Sequence, residues 1–346
     1  MAAISSRIPL PGTNPGNETM NEKMKAIARS QYGSAEVLKL EAVDKPVVSD
    51  QGVLVKVHAT SVNAGDRHLM RGTPFIVRLI YGGLHQPKVK ILGFDVAGRV
   101  EAVGQAITQF KPGDEVFGDL SECGFGAFAE YVCAPESALV LKPDTISFEE
   151  AAAVPGAALA ALQGLRDCGH LQPGQKVLII GASGGVGSFA VQIAKAFGAE
   201  VTALCSPQKI DKVKLLGADQ VIDHTQVDVT QSGIDYDLIL DAAAYRSVFD
   251  YFSILKPGGT YVLVGGSIAR LFQILLFGSL ISKFSRRKVT ALASTPNQAD
   301  LLTLKNWLTS GQIAPLIDQI YPLSDLPAAI CKLEQRQVVG KVVIRV

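Results

Sequence analysis

The sequence predicts an α/β protein: a β-rich domain followed by a doubly wound parallel sheet. Three observations predict it. Short strand-like runs separated by turn signals fill residues 24–142. Strands and helices then alternate from about 150 to 311. One strand runs into Gly181-Ala-Ser-Gly184-Gly185-Val-Gly187 and continues as a helix, so a glycine-rich turn opens the alternating half.

The elements follow in order. "VLVKVHATSV" (53–62) alternates, "ILGFDVAGRVEAVG" (91–104) carries three glycines, and "KPGDEVFGD" (111–119) holds a Pro-Gly turn. "GAFAEYVCAP" (126–135) and "ALVLKP" (138–143) continue the series, a spacing that reads as a sandwich or barrel. The alanine-rich run 149–165 is helical in propensity, and Pro155 divides it. Strands are then predicted at 176–180, 200–205, 220–223, 237–242, 260–265 and 288–293. Helices are predicted at 185–197, 208–216, 246–255, 268–284 and 297–310. Strands return in 312–346 around a helix at 326–336, and "GKVVIRV" is expected to rejoin the first domain. The expected division is a tail over 1–23, a first domain over 24–150 completed by 312–346, and a second over 151–311.

Composition narrows the function classes. With 346 residues, 48% hydrophobic and 19% charged, the chain has ample material for two cores. Thirty-three basic residues against 32 acidic ones leave a net charge of +1, so nothing electrostatic favours nucleic acid. The five cysteines are scattered and form no C-x-x-C pair. That pattern suggests neither a disulfide framework nor a zinc cluster, and cytoplasmic localisation is expected. Residues 1–23 are polar and rich in Pro, Gly and Asn, and read as a disordered tail. Leu271 to Ile281 is apolar but about half the ~20 residues a spanning helix needs. It is expected to be a helix buried against another domain or subunit, and its basic end leaves room for weak contact with a membrane surface.

The glycine-rich turn has a chemical reading. Gly181 permits a tight turn, Gly184 or Gly185 lets a diphosphate approach the main chain, and Gly187 lets the helix lie close to the sheet. The free N–H groups and positive dipole of the helix end then face the anion. Ser183 and Val186 share the turn and join the candidate cofactor-binding residues. No Gly-Lys-Ser/Thr follows, which excludes a P-loop. NAD sites usually carry an acid at the end of the second strand. Here that strand ends Cys205-Ser206, and the first carboxylate is Asp211, inside the next helix. Ser206 and Lys209 suit a 2′-phosphate by hydrogen bond and charge, so NADP(H) is the expected cofactor.

Several strings together resemble the medium-chain dehydrogenase/reductase superfamily: "GFDVAGRVEAVG" (93–104), "FKPGDEVFG" (110–118), "GAFAEYV" (126–132), "EEAAAVPGAALAALQGL" (149–165), "GASGGVG" (181–187) and "GKVVI" (340–344). Within it the chain is similar to the zinc-free, ζ-crystallin-like quinone oxidoreductase branch. The resemblance implies a GroES-like catalytic domain, a Rossmann domain, a nicotinamide cleft between them and a homodimer. It adds Gly265 and Lys341 to the cofactor contacts. Zinc-dependent relatives ligate metal through a Cys near "TSVNAGD" and a His in Gly-His-Glu. The corresponding positions here are Asn63 and the string Gly93-Phe94-Asp95, and the four-cysteine lobe is absent.

A zinc-free reductase is therefore expected, transferring hydride from NADPH to a quinone or an α,β-unsaturated carbonyl, whose charge delocalises without a Lewis acid. The resemblance places Asn63 in the loop that reaches nicotinamide and substrate, and His68 where related strings carry Tyr. Tyr81 lies in the apolar insertion 74–84, which with 268–284 suits an apolar substrate entrance. Asn63, His68 and Tyr81 are the candidate catalytic residues. Two other readings remain: an enoyl-thioester reductase of the same superfamily, and a low-turnover NADPH-binding protein with a structural or membrane-surface role.

Overall fold

The computed structural model describes residues 22–81, 83–266 and 268–346. The tail expected over 1–23 lies outside these residues except for Glu22 and Lys23, and Lys23 already begins a strand.

The N-terminal half contains β1 (Lys23–Ala28), β2 (Lys39–Asp44), β3 (Gly52–Val62), β4 (Asp95–Val103), β5 (Glu115–Asp119), β6 (Tyr131–Pro135) and β7 (Leu139–Leu141). Helices α1 (Ala64–Arg71) and α2 (Phe75–Ile80) leave the sheet between β3 and β4. Then α3 (Phe148–Ala152) and α4 (Pro155–Gln163) lead into the second half. Pro155 stands at the first position of α4, where its missing N–H has no helical partner to lose.

The second half runs β8 (Lys176–Ile180), α5 (Gly185–Ala196), β9 (Glu200–Cys205), α6 (Ile210–Lys214), β10 (Gln220–Asp223), β11 (Tyr236–Asp241), β12 (Leu255–Leu263), α7 (Ile268–Phe284), β13 (Lys288–Ala291) and α8 (Gln298–Thr309). Its six strands form a parallel sheet in the order β10-β9-β8-β11-β12-β13. The centre is β8, whose Val177 to Ile180 are fully buried, as a strand covered on both faces requires. The chain closes with β14 (Ile317–Pro322), α9 (Leu326–Glu334) and β15 (Lys341–Arg345).

β15 returns to the first sheet, where Val342 lies opposite Val62 of β3 in an antiparallel ladder. That sheet has the order β14-β15-β3-β4-β5-β7, with β6 also on β3. Just before β15 the Gly340 N–H donates to Ser183 O at 2.8 Å, so the same strand touches the glycine-rich turn. One strand thus joins the two sheets where a ligand of the turn would lie.

Two expected helices are shorter than the sequence suggested. Residues 246–255 form only a 3-10 turn, Val248–Tyr251, because Leu255 already pairs with Tyr236 as the start of β12. The helix expected at 208–216 opens as a 3-10 turn over Pro207–Lys209 and is α-helical only over α6. Helix α7 forms where expected but is buried on one side only. Ile274, Gly278 and Ile281 face the sheet, while Leu275, Leu276 and Phe284 are exposed.

Candidate active site

The strand-to-helix turn is built by its glycines. Gly181 has φ +78°, a left-handed conformation that side chains disfavour. Its N–H and that of Ala182 both donate to Leu204 O at 3.1 Å, which ties the turn to β9. A Cβ at Gly187 would stand 2.2 Å from Gly181 O, so helix and turn touch through bare backbone. A Cβ at Gly184 would meet only Gly181 O, at 3.5 Å, which leaves that side open. At Gly185 a Cβ would meet Lys341 Cδ at 2.9 Å. The open approach to the turn is therefore at Gly184, and Gly185 packs on Lys341. The first N–H groups of α5 have no helical partner and a positive dipole behind them. This is a fit for a diphosphate, with Gly181, Ser183, Gly184, Gly185, Val186 and Gly187 around it.

Opposite the turn lies a buried polar network that the sequence did not reveal. Lys341 is 3% exposed and Asp95 fully buried, and their Nζ and Oδ2 are 3.1 Å apart. Asn63 bridges them: its Nδ2 donates to Asp95 Oδ2 at 2.8 Å, and its Oδ1 accepts from Lys341 Nζ. Ser61 Oγ also donates to Asp95 Oδ2, and the Gly156 N–H donates to Asp95 Oδ1 at 2.7 Å. Asp95 is thus an anion held by donors from β3, α4 and β15. Asn63 spends both ends of its amide inside the protein, which makes it a positioning group for Lys341.

Two more carboxyls surround this network. Asp66 accepts from the N–H groups of Asn63 and Gly93 (2.9 and 3.1 Å), and burial pushes its pKa to about 7. Asp119, which accepts from the Ser121 N–H at 2.8 Å, is pushed to about 7 by burial and then by the charge of Asp95. Each raised carboxyl adds stability that is complete below its unfolded pKa of about 4 and is lost as the pH rises through its folded value. Asp119→Asn keeps the acceptor for Ser121 and removes one titration. The variant is expected to gain on the wild type in urea unfolding, by on the order of 2 kcal/mol from about pH 5 to about pH 8. A constant difference over that range would reject the assignment.

The other predicted site residues are placed as follows. His68 Nδ1 lies 2.9 Å from Thr73 O, beyond the end of α1 and outside the Asp95 network. Tyr81 is exposed and packs edge-on against Phe125, 5.5 Å between ring centres. Gly265 is exposed just past the end of β12. Ser206 follows β9 as expected, but its Oγ lies 3.2 Å from Nε2 of His224, a residue given no role from sequence. His224 in turn stacks on Tyr245, with centroids 5.1 Å apart. Lys209, expected to meet a 2′-phosphate, has its Nζ donating to the carbonyls of Arg336 (3.1 Å) and Val338 (2.7 Å). It anchors the segment before β15, and burial lowers its pKa. The 3-10 turn at Pro207–Lys209 aims it there, which helical spacing alone would not indicate.

Strand, glycine-rich turn and helix on a parallel sheet, faced by a second domain through a buried lysine, define a two-domain dinucleotide-dependent oxidoreductase. Residues 49–144 match the alcohol dehydrogenase GroES-like domain. Residues 216–344 match the family described as zinc-binding dehydrogenase. The chain is 34% identical over 334 residues to 2-methylene-furan-3-one reductase of Solanum lycopersicum, covering 93% of this chain and 79% of the relative. It is 32% identical over 335 residues to the chloroplastic NADPH-dependent alkenal/one oxidoreductase of Arabidopsis thaliana, covering 93% and 80%. The quinone oxidoreductase from Coxiella burnetii superposes with a TM-score of 0.83 at 29% identity, over 94% of this chain and 100% of that one. The chain belongs to the medium-chain dehydrogenase/reductase superfamily, in its zinc-free quinone oxidoreductase branch.

The zinc in one family description does not fit these residues. Zinc sites take about four N, S or O ligands. Of the two ligand positions, one holds the Asn63 amide, already bonded to Asp95 and Lys341, and the other the phenyl ring of Phe94. Among the described residues, no group of three or more His, Cys, Asp or Glu is placed to hold a metal ion.

Proposed function

We propose that the protein reduces a quinone or an α,β-unsaturated carbonyl with NADPH. The observation that carries this reading is the Lys341–Asn63–Asp95 network, which sets a buried lysine directly beside the dinucleotide turn. When bound, the dinucleotide supplies a hydride from C4 of its reduced nicotinamide. The N–H groups at the start of α5 hold its diphosphate, and Lys341, braced by Asn63, sets a positive charge between turn and substrate. Conjugated acceptors spread the charge that develops, so positioning replaces a Lewis acid. The substrate enters past Tyr81, with His68 at the outer end of α1.

For the choice of NADPH, the support is a β9 that ends without a carboxylate, and Ser206 with His224 beside it. His224 and Tyr245 also line a cavity of about 120 Å³ next to Leu204, sized for part of an adenosine. The catalytic unit is taken as 24–150 with 312–346, and the NADP(H)-binding unit as 151–311. A homodimer, a weak contact with a membrane surface and a cytoplasmic location belong to the same reading. The last is supported by five free cysteines.

The test is a cofactor-oxidation screen with 1,4-quinones, 2-alkenals and enoyl thioesters, run with NADPH and NADH. Turnover on quinones or 2-alkenals with NADPH preferred is expected. His224→Gln is expected to raise the KM for NADPH roughly tenfold, the worth of one hydrogen bond to a charged group, and to leave NADH unchanged. Enoyl thioesters as the fastest substrates would move the protein to the thioester reductases. Tight NADPH binding without turnover on any of them would make it a binding protein.

A further inference from the structure

The apolar exposure of this protein is concentrated on two helices. On α7, Leu275 (66%), Leu276 (65%) and Phe284 (80%) are open, and on α2 so are Phe75 (60%) and Ile80 (67%). A helix that is apolar all round is normally buried all round, yet among the described side chains of α7 Ile274 and Ile281 are buried and Gln273 bonds to Ser247, while Leu271, Phe272, Leu275, Leu276, Phe277 and Phe284 are exposed. Apolar surface of this kind marks a site of interaction.

Charge identifies the partner. Residues 67–94 and 268–288, which contain these helices, hold ten of the 33 Lys and Arg and none of the 32 Asp and Glu. Arg67 and Arg71 pair with Glu334, and Arg78 lies over the Tyr32 ring. At the end of α7, Lys283 and Arg286 are exposed. Apart from the pairs that Arg67 and Arg71 make with Glu334, the charged side chains of these two segments are all cations. A second copy meeting these faces about a two-fold axis would bring the same cations together. An anionic surface would be attracted to them. Among the described residues no helix is long and apolar enough to cross a membrane, so the contact is superficial.

Both helices also lead back to the site. Tyr81, at the end of α2, packs on Phe125, which packs on Phe94 beside Asp95. Helix α7 starts just after Gly266, and Gly266 and Gly181 both close on Ala243.

We propose that the exposed faces of α2 and α7 dock the protein on an anionic phospholipid bilayer, from which it takes a lipophilic quinone. The substrate part rests on the reductase reading above, and the docking does not. Flotation with phosphatidylcholine vesicles containing about a third phosphatidylglycerol tests it. The wild type is expected to float with these vesicles and at least tenfold less with phosphatidylcholine alone. Leu275→Glu/Leu276→Glu is expected to stay at the bottom of the gradient, and Lys283→Glu/Arg286→Glu to float at least threefold less. In the first variant, turnover of a long-chain quinone dissolved in the vesicles is expected to fall at least tenfold further than turnover of a water-soluble benzoquinone, and an equal fall of the two would overturn the proposal. A wild type that does not float, or a variant that floats as well, overturns the proposal. So does a change from dimer to monomer by light scattering in Leu275→Glu/Leu276→Glu, which would give the surface to a second copy. No turnover of soluble quinone in the wild type would remove the quinone from this proposal and leave the docking result standing.

Discussion

Lys341→Met is expected to lower folding stability by about 3 to 5 kcal/mol at neutral pH, the cost of stripping one partner from a buried ion pair. The Lys341 ammonium is the counter-charge bonded to Asp95, which is fully buried and close enough to Asp119 to raise its pKa. Without the lysine, Asp95 keeps the donors of Ser61, Asn63 and Gly156 but loses the opposite charge. The Asn63 amide loses the donor that fixes its Oδ1. Lys341→Met/Asp95→Asn removes the stranded charge and is expected to recover at least half of the lost stability, while turnover stays low in both variants. Urea unfolding and cofactor oxidation measure the two effects separately. A single variant as stable as the wild type would show that the pair carries no structural weight.

Gly187→Ala is expected to weaken NADPH binding at least about a hundredfold, because the helix that presents its N–H groups cannot stay where it is. The new Cβ would lie 2.2 Å from Gly181 O and 2.7 Å from Ala182 Cα, and both are backbone atoms that cannot swing aside. Stability should fall as well, since α5 packs on α4 and on the core beneath β8. Gly184→Ala provides the contrast. Its φ of −83° suits alanine, and its Cβ would meet nothing of the protein nearer than 3.5 Å. That variant should unfold like the wild type but still bind NADPH at least about tenfold more weakly, because the methyl group enters the space kept for the diphosphate. Calorimetric affinities and thermal unfolding of both variants check this. Equal affinity in Gly184→Ala and the wild type would remove the diphosphate from this turn.

The parts legible in the sequence were those whose cause is local. Three parallel strands, 176–180, 200–205 and 220–223, have the bounds their apolar runs indicate. The turn at 181–187 is visible because its glycines answer steric demands within a few residues of themselves. The expected helix at 246–255 failed for a non-local reason: Leu255 finds a strand partner in Tyr236, and pairing overrides the helical pattern. Asp95 was noticed only as a departure from a zinc-ligand string. Nothing near it indicates that it meets a lysine 246 residues away. His224 offered only its place after the third strand, and the meaning of that place depends on where Ser206 and Tyr245 come to lie.

The sequence by itself determined the two-part α/β architecture and the strand–turn–helix unit, because hydrophobic period and glycine sterics act within a few residues. The tertiary structure decided what stands opposite the turn. The return of β15 beside β3 carries Lys341 to Asn63 and Asp95, and only burial makes that contact an energetic commitment. It also decided that Lys209 holds backbone carbonyls and that, among the described residues, Leu275, Leu276 and Phe284 of α7 are exposed. Side-chain direction and solvent exposure are set by elements distant in the chain, and no local pattern encodes them.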